Sequence, residues 1–218
     1  MTNVIFITDP LCGWCWGAAP MVSVVHQTAL ESGAQFELLH RALFTGEMTR
    51  WMSNSFSDYV TEADKRIHAV SGQPFSDTYK ENLLYNNSLI FDSWPTAVAN
   101  QVVKRLAPEL IFQYYERLQH KRFIEGRVIS DASVLTETAA EIGIRAIDFH
   151  NCFTYDDAIR DTATQEQCRA IDLQNQVLSQ GVPCLLLERD DSLERLPHES
   201  WLGDPNGFAR IVQHQLRS

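Results

Sequence analysis

The chain has 218 residues, 44% hydrophobic and 21% charged, enough to bury a core as one domain or as a domain carrying a large insertion. Its formal net charge of −10 argues against general affinity for nucleic acid or for an anionic membrane surface. The N-terminus carries no basic n-region, and the apolar stretch 4–7 is too short for a signal peptide or a membrane span, so with Met1 as the native start the expected location is the cytoplasm.

Residues 3–8 read as a buried strand, mostly β-branched and aromatic, which Asp9-Pro10 breaks. From Gly13 to about Ser32 the pattern is helical, with Trp16, Ala18, Ala19, Val22, Val25 and Ala29 on one side and Gly33 as C-cap. Residues 36–43 read as a second strand. The expected unit is a parallel β-α-β with a right-handed crossover. Between about 45 and 178 the signals are helical, with no convincing strand. Ser93 before Trp94-Pro95 opens a helix running to 107, and Pro108 stops it and starts the next. Ser130 is the expected cap of a helix over 131–142, ended by Gly143. Thr154-Tyr155-Asp156-Asp157 has a capping-box spacing and is expected to open a long helix to about 179, closed by Gly181. This block reads as an inserted helical subdomain. Strands return at 184–188 and 193–196 around the turn Asp190-Asp191-Ser192. Asp204-Pro205 then starts a final helix whose apolar face is Phe208, Ile211, Val212 and Leu216.

The chemistry concentrates in Cys12-Gly13-Trp14-Cys15, set between the first strand and the first helix. A helix N-terminus leaves backbone N–H groups unpaired and carries partial positive charge. A cysteine placed there is expected to have a pKa of ~3.5–7.5 rather than ~8.5, and its thiolate is the attacking species in disulfide exchange. Position therefore assigns Cys12 as nucleophile and Cys15, one turn deeper, as the resolving thiol. Gly13-Trp14 adds no charge and no imidazole; Trp14 is either a flat apolar contact for substrate or a shield over the pair. A zinc site would need two further ligands, and there is neither a second CxxC nor a suitably spaced His pair. Five cysteines make a poor disulfide framework, which in a reducing compartment favours catalysis.

The CGWC motif after a first strand, Pro20 eight residues beyond Cys12, and Val182-Pro183 before a later strand resemble the thioredoxin superfamily. The long helical insertion resembles the DsbA family, and Trp16-Gly17 together with the absent leader is most similar to its cytosolic FrnE-like branch. The resemblance implies an α/β, thioredoxin-like fold from 1–45 and 180–218, with an all-helical insertion over 46–179 whose last helix returns to the thioredoxin fold. It implies that Pro183 is cis and packs against the redox pair, and that Val182 offers backbone groups to an extended substrate segment. Gly13, Trp14, Val182 and Pro183 are thus the expected substrate-binding residues, and protein or peptide thiols and disulfides the expected partners. No metal or organic cofactor is required, and glutathione stays open as a co-substrate.

DsbA itself has Pro-His between its cysteines, so its oxidising strength does not carry over to Gly-Trp. Kappa-class glutathione transferases and chromene-carboxylate isomerases have Ser where this chain has Cys12, which argues against their activity. A glutathione-dependent transferase or isomerase, and a redox-inactive adaptor on the same fold, remain the alternatives. The buried acid that assists the resolving thiol in some relatives has Asp9 as its nearest candidate, although Asp9 reads first as a strand terminator. Cys184, beside Pro183, reads as a small buried strand residue or a third redox thiol. Cys152 and Cys168 are expected in the core. Lys104, Arg105, Arg117, Lys121 and Arg122 read as a solvated basic face.

Overall fold

A computed structural model of the chain describes residues 2–190 and 192–217. The first elements are β1 (Thr2–Thr8), α1 (Gly13–Glu31), β2 (Gln35–His40), β3 (Arg50–Trp51) and α2 (Asn54–Ser71). A short α3 (Asp77–Tyr79) runs on into a π-helical turn (Lys80–Leu84), followed by β4 (Ile90–Phe91), α4 (Trp94–Leu106) and α5 (Ile111–Phe123). Then come α6 (Ala132–Glu141), α7 (Ala146–Tyr155), α8 (Asp157–Gln176), β5 (Cys184–Arg189), β6 (Ser192–Leu196) and α9 (Pro205–Arg217).

The main sheet has the order β2-β1-β5-β6, with β1 parallel to β2 and antiparallel to β5. Central β1 is apolar on both faces because both are covered. On one face Val4 and Phe6 pack with Met21, Val22 and Val25 of α1 and with Phe208 and Val212 of α9. On the other, Ile5 and Ile7 meet Ala170 and Leu173 of α8. The register pairs Ile7 with Cys184. That pairing brings the segment preceding β5 to the end of β1, where the CxxC begins. This is a mixed α/β, thioredoxin-like architecture. The helices between β2 and β5 enclose a separate core in which Val98, Ala99, Val102 and Val103 of α4 pack with Tyr114, Leu118, Leu135 and Phe149.

Several local expectations change. A two-residue antiparallel ladder, Arg50↔Phe91 and Trp51↔Ile90, interrupts the helical block; strands this short leave no alternation to read. The second main strand ends at His40 rather than residue 43, because the Ala42 and Leu43 amides turn to the Gln167 Oε1 and Asp9 Oδ2 side-chain oxygens. Thr154 lies in the last turn of α7; Asp156 is the cap of α8, its side chain accepting from the Ala158 amide. That helix stops at Gln176, with Leu178 (φ 52°) in the left-handed region and Gly181 (φ 80°) in the following loop. Asp131, not Ser130, occupies the N-cap of α6. In the turn Asp190-Asp191-Ser192, Asp191 lies outside the described residues, as does Met1.

The supposed basic face is largely internal. Lys121 is buried and paired with Glu137 and Glu141, and Lys104 is bound to Glu166 and the Leu38 carbonyl. Arg122 is buried among the rings of Tyr79, Phe91 and Phe123. Long cationic side chains read as surface in a sequence because burial needs partners that are far away along the chain. Cys168 is exposed, contrary to expectation, while Cys152 packs partly against the helical core.

Candidate active site

Cys12 is the N-cap residue of α1, in extended backbone conformation, and the Trp16 amide bonded to its carbonyl closes the first helical turn. The amides of Gly13, Trp14 and Cys15 therefore lie ahead of the helical ladder. Cys12 is 9% exposed and Cys15 is fully buried. Both thiols are free. Burial pushes the Cys15 thiol well up, and the hydrogen bond and charge of neighbouring Cys12 push it further; the Thr8 hydroxyl and the Asp9 backbone pull the other way. Beneath Cys15, the Thr8 hydroxyl meets the Tyr115 hydroxyl at 2.7 Å.

The Val182–Pro183 peptide is cis. The Cys12 Sγ donates to the Val182 carbonyl oxygen at 3.6 Å. Cys184 is fully buried in β5, its Sγ toward the Ser179 hydroxyl at 3.6 Å. Trp14 is 39% exposed. Cys12, Gly13, Trp14 and Val182 thus line one cavity of about 360 Å³.

Asp9 holds the turn that presents the CxxC. It is fully buried, and its Oδ1 accepts from the Leu11 amide at 2.9 Å. Its Oδ2 accepts from the Leu43 amide at 2.9 Å and the Ser93 hydroxyl at 2.6 Å. Ser93 sits at the N-cap of α4, but its hydroxyl serves Asp9 rather than the helix. One carboxylate therefore ties the end of β1, the exit of β2 and the start of α4 together.

The opposite side of the cavity comes from α2 and the β3 region, with Arg50, Phe56, Tyr59 and Asp64. The sequence reading missed these residues, since nothing local marks them. The CGWC segment does contain one clue. A Cβ at Gly13 would lie 3.0 Å from Asp64 Oδ1, and one at Gly17 would lie 2.5 Å from Ile67 Cγ2. The two glycines let α2 close against α1. Trp16 fixes the join, donating from Nε1 to the Pro74 carbonyl at 2.8 Å and stacking on Phe123. Asp64 is 5% exposed, and burial raises its carboxyl to about 7.

The arrangement can carry a two-thiol exchange. One sulfur opens onto a cavity; its partner, a turn deeper, is shielded from solvent and held in the thiol form. No described helix is long and apolar enough to cross a membrane.

No protein-family profile and no curated protein sequence matches the chain. Solved structures do. DsbM, a cytosolic disulfide reductase from Pseudomonas aeruginosa, is 30% identical, with 99% of this chain and 98% of that chain covered and a TM-score of 0.87. A structure of DsbM with glutathione gives 27% identity, 99% and 100% coverage and a TM-score of 0.86. A candidate protein disulfide isomerase from Nitrosomonas europaea, 22% identical over 98% and 96% of the two chains, has a TM-score of 0.76 and shares the fold. With the thiol pair set at the head of α1 and this identity sustained over both full lengths, the chain belongs to the DsbA family of thioredoxin-fold disulfide oxidoreductases.

Proposed function

We propose that the chain is a cytoplasmic thiol–disulfide oxidoreductase of the FrnE-like kind that uses Cys12 and Cys15 as its redox pair. The observation that carries this is the asymmetry of the two sulfurs, 9% exposed for Cys12 and none for Cys15. Cys12 attacks a substrate disulfide and forms a mixed disulfide. Its negative charge is then gone, and with it one cause that holds Cys15 in the thiol form. Cys15 can now ionise toward the Thr8 hydroxyl and attack Cys12 Sγ, which releases the second substrate thiol. Val182 and Pro183 flank the mixed disulfide, and the Val182 carbonyl is free to pair with an extended substrate backbone once the Cys12 proton has left. Trp14 covers the open side. The chemistry uses the thiol pair alone, without metal or organic cofactor.

Protein or peptide disulfides and glutathione are the proposed partners; glutathione draws on the DsbM structure that contains it. Reductive work in the cytoplasm likewise draws on the description of DsbM. Equilibration with glutathione redox buffers tests the reading. A single two-electron couple between Cys12 and Cys15 is expected, with a potential near the cytosolic glutathione poise or more negative. Absence of an intramolecular bridge under mild oxidant would remove the proposal.

A further inference from the structure

Among the described residues, no carboxylate, imidazole or amine bonds the sulfur of Cys15. Asp9, the candidate acid of the sequence, has both side-chain oxygens committed elsewhere: Oδ1 accepts from the Leu11 amide, and Oδ2 from the Leu43 amide and the Ser93 hydroxyl. The groups packed beneath the sulfur are hydroxyls instead. Strand alternation puts Thr8 on the face of β1 that Val4 and Phe6 share, toward α1 and α5. There its hydroxyl lies within hydrogen-bonding reach of Cys15 Sγ and 2.7 Å from the Tyr115 hydroxyl of α5.

The direction of these bonds follows from the donors available. Thr8 and Tyr115 are 0% and 1% exposed, so neither proton reaches water. Among the described residues, Thr8 is the one hydrogen-bond partner of the Tyr115 hydroxyl. The tyrosine ring itself packs against Phe6, edge-on at 5.7 Å, and against Phe112. A buried hydroxyl proton left without an acceptor is costly. Tyr115 therefore donates to Thr8 Oγ1, and the single Thr8 proton is left to point at Cys15 Sγ. The Cys15 S–H points in turn at Cys12.

We infer that Thr8 is a catalytic residue, the hydrogen-bond donor to the resolving sulfur, and that Tyr115 is the positioning residue that aims its proton. The inference rests on the oxidoreductase reading and assigns a role within its second step. There the Cys15 S–H gives up its proton, Cys15 Sγ bonds to Cys12 Sγ, and the bond from Cys12 to the substrate sulfur breaks. The electron pair leaves on the substrate sulfur, and the proton ends there or in water. Negative charge thus appears on Cys15 in a pocket where burial opposes it. A hydroxyl donates to a thiolate without adding charge, whereas an ionised carboxylate at the same place would repel both sulfurs. Two donors in series polarise one another, so the tyrosine strengthens the bond that the threonine makes.

The pH dependence of this step belongs to few groups. Facing Cys15 are Cys12 at the head of its own helix, Thr8 and the Asp9 backbone at the end of β1, and Tyr115 of α5. Cys12 and Asp9 also face Tyr115. Cys184 of β5 packs on the other face of the sheet, with Ala170 and Leu173 of α8. Burial pushes the Tyr115 hydroxyl well above its ordinary range, so it stays a donor across the working pH range.

The test is stopped-flow oxidation of the pre-reduced full chain by uncharged 4,4′-dithiodipyridine. A Cys152→Ser/Cys168→Ser background removes the thiols that are not fully buried. Attack by Cys12 releases a first thiopyridone in proportion to reagent, and Cys15 releases the second at a rate independent of it. The readout is the second rate relative to the first, as a function of pH. A thiolate that loses a hydrogen bond becomes more basic; each pH unit lowers its population about tenfold and returns about threefold in nucleophilicity. Thr8→Val is therefore expected to slow the second phase about three- to tenfold near pH 7 and to move its pH midpoint up by about one to two pH units. Tyr115→Phe is expected to move it the same way by less, and Thr8→Ser, which keeps the hydroxyl, to restore it. Thr8→Val/Tyr115→Phe leaves no orphaned hydroxyl and should match Thr8→Val, because the two groups act in series; it carries the test where Thr8→Val fails to fold. An unmoved midpoint in Thr8→Val and in the double variant overturns the inference and leaves the redox pair standing. So does a loss of equal size at every pH, which is what a displaced backbone would give. An unmoved midpoint in Tyr115→Phe alone strikes Tyr115 from the inference. A wild-type chain that shows only the first phase removes the oxidoreductase reading, and the inference with it.

Discussion

Two walls face each other across the cavity at Cys12, and they are positioned by different means. The sheet-side wall, with Cys12, Gly181 and Val182, is placed by backbone pairing: the Ile7↔Cys184 register brings the Val182–Pro183 peptide to the head of α1. The α2-side wall, with Phe56, Tyr59 and Asp64, is placed by side-chain packing of α2 onto α1 through Gly13 and Gly17. Backbone register is all-or-none, because a one-residue slip reverses every side chain. Side-chain docking is graded. Reactivity thus rests on the wall that cannot drift, and selectivity on the wall that can be adjusted one residue at a time.

The largest effect should come from the first wall. Cys12→Ser is expected to reduce disulfide exchange about a thousandfold or more, since it removes the attacking atom itself. Cys15→Ser is expected instead to accumulate a mixed disulfide at Cys12, visible as an adduct by mass spectrometry. If Cys12→Ser kept exchange activity, the contrast between the walls would be lost and the attacking sulfur would have to be another; a wild-type chain that binds a partner without exchanging disulfides would instead favour the adaptor-like use of the fold.

Asp9 ties the two halves of the structure together, and Asp9→Asn probes that tie. An amide keeps one acceptor oxygen and turns an NH₂ toward donors, where the carboxylate now accepts from Leu11, Leu43 and Ser93. A stability loss of about 3 kcal/mol is expected, measured by urea unfolding. An unchanged midpoint would mean that the carboxylate does not hold the turn.

On the second wall, Asp64→Asn should produce a smaller change that depends on pH. Burial raises the folded carboxyl to about 7 from an ordinary 3.8. Between those values the folded chain keeps a proton that the unfolded chain has lost, so wild-type stability falls as pH rises. Above about 7 both states are ionised and the penalty is complete. Asn carries no such penalty. The variant should therefore gain on wild type from about pH 4 to about pH 8, by about 2 kcal/mol against a ceiling of about 4. A stability difference that is flat across that range would show that the carboxyl titrates normally.

The same division explains what could be read before the fold was known. Strands β1 and β5, the CxxC at the head of α1, and the Asp204-Pro205 start of α9 are local patterns, and each appears where it was expected. Residues 182 and 183 needed the family resemblance, because nothing local says that a Val-Pro lies beside a cysteine 170 positions away. Arg50 and Asp64 carried no signal at all: an arginine in a short loop and an aspartate in an amphipathic helix look like surface residues. Even Lys121 and Arg122, adjacent in sequence, read as solvated, although one meets two glutamates and the other three aromatic rings. Such placements exist only in the packed chain. The glycines of Cys12-Gly13-Trp14-Cys15-Trp16-Gly17 stand in plain view in the sequence, where Gly13 reads as a substrate contact and Gly17 as part of the family resemblance, and only the packed chain shows that they seat α2 on α1.

Gly17 therefore offers the sharpest test of the graded wall. A methyl group there would stand 2.5 Å from Ile67 Cγ2, well inside contact distance. Ile67 is 1% exposed and its side chain is β-branched, so it has little freedom to yield. Overpacking of this kind loses about 1–3 kcal/mol, whereas Ala in place of a mid-helix Gly gains up to about 1 kcal/mol. Gly17→Ala should then be destabilising by about 1 kcal/mol. In an Ile67→Ala background the obstructing methyl is absent and only the helix preference remains. The same substitution should change sign there and stabilise. Measured as a double-mutant cycle in urea, a coupling of about 1–3 kcal/mol is expected. Simple additivity would mean that α2 is not seated on α1 through this contact, and that the second wall owes its position to something other than the glycines.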